Sequence, residues 1–67
     1  MSGDELRRRR EALGLTQRAL AAQLGVHFNA VWRWENLGVP LLREQLVRLS
    51  LERLEQMEAA GGAPVSS

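Results

Sequence analysis

The stretch LTQRALAAQLGVHFNAVWRWEN, residues 15–36, restricts the possible folds more than any other part of the chain. It holds two short helical patterns on either side of one glycine, Gly25. In the first, Leu20, Ala21 and Leu24 share a stripe; in the second, Val31 and Trp34 lie three apart and continue inward from Val26 in the turn. That choice of inner face leaves Phe28, Asn29, Trp32 and Arg33 on the other side. Thr16 is a strong N-cap for a helix over Gln17–Leu24, although Ala19 stands where Glu or Gln would close a capping box. Leu15 and Leu20 have the spacing of a hydrophobic staple. Gly25 ends the helix as a residue that takes positive φ at no steric cost, and His27 caps a third helix over about Phe28–Glu35.

The flanks are helical as well. Ser2 caps a first helix that places Asp4 and Glu5 in its first turn and runs to Leu13, with Gly14 as its stop. Leu6, Arg10 and Leu13 share one face of it, and Arg7 and Arg8 read as a solvated face. NLGVP, residues 36–40, reads as a loop whose Pro40 suits the first turn of a fourth helix reaching Ala60. Leu42, Leu46 and Leu49, followed by Val47, Leu51 and Leu54, form a broad apolar stripe on that helix. Glu52, Glu55 and Glu58 read as solubilising a helix face. No strand pattern or internal repeat is present, so the expected fold is all-α: one domain over residues 1–60 and a flexible tail over 61–67.

Size and composition narrow the function. A chain of 67 residues buries only about 60% of its unfolded surface. With no cysteine it has neither a disulfide nor a thiolate metal site to staple it. Close helix packing or a partner subunit must supply the rest. One histidine, no phosphate loop and no paired carboxylates give no support to an enzyme, a metal site, a cofactor or a small-molecule ligand. No apolar run approaches the about 18 residues of a membrane span, and the expected setting is the cytoplasm. Net charge is +1, but residues 1–38 carry six arginines against four acids and residues 39–67 carry three against four. All nine basic residues are arginine, which fits codon bias as well as recognition by planar forks.

Two helices of about eight residues across a tight glycine turn form the helix-turn-helix pattern, in which the first crosses a phosphate backbone and the second lies in the major groove. LRRRREALGLTQRALAAQLGV together with VWRWEN resembles the phage repressor and Cro type (XRE-like) of helix-turn-helix proteins, well over residues 4–36 and less closely to about residue 58. The resemblance rests on the GLTQ opening, Ala21 where the helices cross, Gly25-Val26 in the turn and the V-x-R-W-E ending. It implies a compact lambda-repressor-like domain of four or five helices and a role in transcription regulation. It assigns Thr16, Gln17, Asn36 and Arg43 to phosphates, Phe28, Asn29, Trp32 and Arg33 to bases, and Arg10 with Glu35 to an ion pair between the first and third helices. Two features depart from the family: Phe28 and Trp32 stand on a reading face usually built from small polar residues and Gln, and Arg9 stands where an apolar residue is usual. Arg9 is expected to snorkel over Trp34 or the fourth helix.

The chemistry of those side chains fits the assignment. Arg33 can fork onto guanine O6 and N7, Asn29 can pair with adenine N6 and N7, and Phe28 or Trp32 can pack on a thymine methyl. The fourth helix exceeds what one small core needs, so Leu46, Leu49, Arg53, Leu54 and Met57 are candidates for a homodimer interface. The expected partner is then double-stranded DNA with a palindromic operator, bound by a small autorepressor of a phage, plasmid or mobile-element operon at the nucleoid. Two alternatives stay open. One is an antitoxin-like protein-interaction module that uses the Phe28/Trp32 face as an apolar patch. The other is a helical assembly protein whose active surface is the fourth helix.

Overall fold

A computed structural model describes residues 1–62. They form four helices: α1 (Gly3–Ala12), α2 (Gln17–Leu24), α3 (Phe28–Leu37) and α4 (Leu41–Gly62). Local chemistry sets where the first three begin. Ser2 Oγ accepts the Glu5 N–H at 3.1 Å, Thr16 Oγ1 accepts the Ala19 N–H at 3.0 Å, and His27 Nδ1 accepts the Asn29 N–H at 3.2 Å. Each bond satisfies one of the donors that a helix start leaves unpaired. Gly25, at φ 74°, lets the chain reverse between α2 and α3, and the Val26 N–H returns to the Ala21 carbonyl at 3.0 Å.

The core is Leu6 from α1, Leu20, Ala21 and Leu24 from α2, Val31 and Trp34 from α3, Val39 from the connection, and Val47 and Leu51 from α4. Packing runs chiefly between α2 and α3 and between α1 and α3, while α4 meets α2. Gly3 opens α1 against the last turn of α3, where a Cβ would collide with the Glu35 carbonyl oxygen. No larger residue permits that approach. The long axis of 41 Å, against 20 and 19 Å, reflects the length of α4, about 33 Å for its 22 residues.

Four expectations are corrected. Residues 36 and 37 belong to α3, whose last turn is closed by the Gly38 N–H donating to the Trp34 carbonyl at 2.9 Å; the loop is residues 38–40. α4 continues through Gly62, two residues into the segment assigned to a tail, and residues 63–67 lie outside the described residues. The broad stripe of α4 divides: Val47 and Leu51 are buried and Leu54 is half-buried, but Leu42, Leu46 and Leu49 are exposed, Leu42 to 95%. Arg9 does reach over the fourth helix, but it ends on a carboxylate and not in solvent. Its Nε and Nη2 fork onto the two carboxylate oxygens of Glu55, each at 2.8 Å, so both residues tie α1 to α4 and Glu55 is not merely solubilising. That hydrogen-bonded partner holds the Glu55 carboxyl below its ordinary range.

Candidate nucleic-acid interface

The interface begins with one buried acid. Between Glu11 and Glu44 the chain contains a single carboxylate, Glu35, and its side chain is fully buried on the inner face of α3 beside Val31 and Trp34. Arg10 of α1 donates to it from Nε at 2.6 Å and from Nη2 at 3.3 Å, and its Nη1 donates to the Leu15 carbonyl at 2.8 Å. Gln17, the first residue of α2, donates to the same carboxylate at 3.0 Å. Arg7 approaches it to 3.5 Å, which corrects the reading of Arg7 as part of a solvated face. Burial alone pushes the Glu35 carboxyl upward, but the hydrogen bonds from Arg10 and Gln17, with the Arg10 charge and Arg7, outweigh it and hold the group below its ordinary value. Among the described residues no buried side-chain nitrogen or oxygen lacks a partner.

This network fixes three helices relative to one another, and its electrostatic consequence appears on the outside. With Glu35 buried and satisfied, the exposed surface of α2 and α3 carries positive charge and no acid. Arg7, Arg9, Arg10 and Arg48 each sit within ion-pair distance of a glutamate. Among the described residues, Arg8, Arg18, Arg33, Arg43 and Arg53 do not, and of these Arg18 and Arg33 belong to α2 and α3. A basic face of that kind raises the local concentration of a polyanion although the net charge is only +1.

The remaining residues singled out from sequence fall as follows. Asn29, Trp32 and Arg33 are exposed on the outer side of α3, Trp32 to 51%. Phe28 is half-buried and packs partly on the core, with the Arg18 guanidinium carbon 4.6 Å from its ring centroid. Thr16 and Asn36 are exposed but partly engaged, Thr16 as a cap and Asn36 by its bond to Trp32. Gln17 has one of its two amide hydrogens committed to Glu35. Arg43 is exposed in the first turn of α4. On α4, Leu46, Leu49, Arg53, Leu54 and Met57, with Gln23 and Ser50, line a groove of about 470 Å³, and Leu54 also packs partly on the core. Sequence reasoning passed over Arg18. The signal that could have found it is the acid-free span from residue 12 to residue 34, in which Arg18 and Arg33 are the two arginines.

A recognition-type helix with an acid-free outer face, held at its start by a capped turn and at its inner face by a three-helix ion network, defines a helix-turn-helix DNA-binding protein. Over residues 3–65 the chain matches the family described as Helix-turn-helix domain, and it belongs to that family. No curated protein and no solved structure gives a match to the chain.

Proposed function

We propose that the chain is a sequence-specific transcription regulator of the phage repressor and Cro type (XRE-like). In this reading it is a small homodimeric autorepressor of a phage, plasmid or mobile-element operon, of the economical kind associated with anti-CRISPR genes, working at the nucleoid. α3 lies in the major groove with Asn29, Trp32 and Arg33 toward the bases, and Phe28 stands at its leading end. Gln17, Thr16, Asn36 and Arg43 hold the flanking phosphates and set register. One good bidentate pair from Arg33 or Asn29 contributes about 1–3 kcal/mol of discrimination.

The observation that carries the reading is the placement of charge: the one acid of α2 and α3 is buried under Arg10, while Arg18 and Arg33 stand outside with no acidic partner among the described residues. The dimer is supported by the bare apolar residues Leu46, Leu49 and Met57 around the α4 groove. One reading helix makes few contacts, and two half-sites about 34–36 Å apart supply the rest. The protein-interaction alternative loses half of its anchor, since Phe28 is half-buried beneath Arg18 and Trp32 is the exposed aromatic of α3.

Selection of duplexes from a random DNA pool tests the proposal, followed by affinity measurements on the selected and scrambled duplexes at several salt concentrations. The expected result is a palindromic winner, bound far more tightly than scrambled DNA and weakened steeply by salt. Failure to enrich any sequence, or binding that ignores salt, overturns it.

A further inference from the structure

Arg18 is the second residue of α2, but its charge sits on α3. The guanidinium carbon lies over the Phe28 ring at 4.6 Å from the centroid, within the range of a cation–π contact. The ring in turn lies 4.8 Å from the His27 imidazole, tilted by 32°, and packs partly on the core. A long flexible side chain therefore rests on a platform that the fold already holds. The contact with the ring uses none of the guanidinium N–H donors, which form a planar fork suited to a phosphate. No carboxylate among the described residues engages them. Part of the rotamer freedom that Arg18 would lose on binding is lost in the free protein.

We infer that Arg18, mounted on Phe28, is a further DNA-contacting residue that takes a backbone phosphate beside the groove occupied by α3, and that Phe28 is its positioning residue, not a reader of a thymine methyl. This rests on the DNA-binding function proposed above. A phosphate is favoured over a base because Arg18 belongs to the first turn of α2, the helix that crosses the backbone in this motif. It also explains why an aromatic can occupy the leading position of the reading helix while half-buried: its exposed face is spent on Arg18.

The test compares Arg18→Gln, Phe28→Leu and the double variant with the wild-type chain, on the selected duplex and on scrambled DNA, across a salt series. Arg18→Gln is expected to weaken binding to both duplexes by the same factor, about tenfold at low salt. It should also reduce the slope of log affinity against log salt by about 0.9 per chain. Phe28→Leu should give a smaller loss of the same kind and add nothing in the Arg18→Gln background, since the two act as one unit. Arg18 is exposed, so its variant folds and carries the test even where Phe28→Leu loosens the core. Wild-type affinity and slope in Arg18→Gln overturn the inference, as does a Phe28→Leu effect confined to one base-pair position. A wild-type chain that binds no duplex overturns this inference and the DNA reading together; a wild-type chain that binds, beside a silent Arg18→Gln, overturns this inference alone.

Discussion

The first three helices and the fourth use their apolar residues in opposite ways. In α1–α3 the large aliphatic residues turn inward except at the end of α3, where Leu37 is exposed: Leu6, Leu20, Leu24 and Val31 are buried, Leu13, Leu15 and Val26 pack against them, and polar groups are tied across helices by Arg10, Gln17 and Glu35. α4 is more than twice as long as any of the others, yet among its described side chains only Val47 and Leu51 are fully buried, and Leu41, Leu42, Leu46, Leu49 and Met57 are exposed. The contrast separates two tasks. The three-helix body is closed on itself and offers charge to the outside, whereas α4 supplies a short staple to the core and an open apolar side.

Four substitution experiments would break or sharpen that contrast. The largest effect is expected from Leu20→Ala, which leaves a cavity among fully buried neighbours and costs about 2–5 kcal/mol, enough to unfold much of so small a domain. Chemical unfolding reads it directly, and a cost below about 1 kcal/mol would mean that the body is loosely packed. Glu35→Gln comes next, at about 3 kcal/mol, because Arg10 is then left poorly exposed without its counter-charge. Its pH signature is specific. The folded carboxyl lies below its ordinary value, so its stabilisation is present in full above the ordinary glutamate range and is lost as pH falls through the depressed folded value. The gap between wild type and Glu35→Gln should therefore close on acidification below that range; a gap that persists there would show that the carboxylate charge is not what stabilises the wild type.

Arg9→Ala supplies the counterpart on the α4 side. The Arg9–Glu55 fork is partly exposed, with side chains at 22% and 38%, and is expected to contribute no more than about 1 kcal/mol. A larger loss would make α4 as firmly tied as the body. The smallest effect on stability is expected from Leu49→Glu, within about 0.5 kcal/mol for a monomer, because Leu49 is exposed. If the wild-type chain sediments as the dimer proposed above, Leu49→Glu should sediment as a monomer. A stable, fully dimeric Leu49→Glu would move the subunit contact away from this side of α4.

The same division decides what could be read from the sequence. Caps and turns are local: Ser2, Thr16 and Gly25 announce their roles within four residues, and α2 runs from Gln17 to Leu24, the bounds its cap and stop imply. The inner face of α3 follows from Val31 and Trp34 at helical spacing. The Arg10–Glu35 pair came from family resemblance; the face that Arg10 shares with Leu6 and Leu13 agrees with it, but nothing local to either residue names a partner 25 positions away. The Arg9–Glu55 fork spans 46 positions and carried no such hint. Periodicity finds both stripes of α4, Leu42-Leu46-Leu49 and Val47-Leu51-Leu54, but it cannot say which one meets a neighbour; tertiary packing chose the second. Gly3 carries no signal in the sequence, because its contact with the last turn of α3 exists only once the chain is folded.

That contact makes α1 a stop against which the reading helix is aimed. α3 is pinned at its leading end by the Gly25 turn and the His27 cap, and its trailing end rests on the bare backbone of Gly3. A methyl group there would have to push the trailing end aside by an ångström or more. Over a helix of ten residues, about 15 Å long, a shift of that size is a swing of about 5°. Gly3→Ala is thus expected to act as a steering error: a change against the backbone of residues 34 and 35 that would tilt Arg33 and Asn29 away from the bases proposed for them.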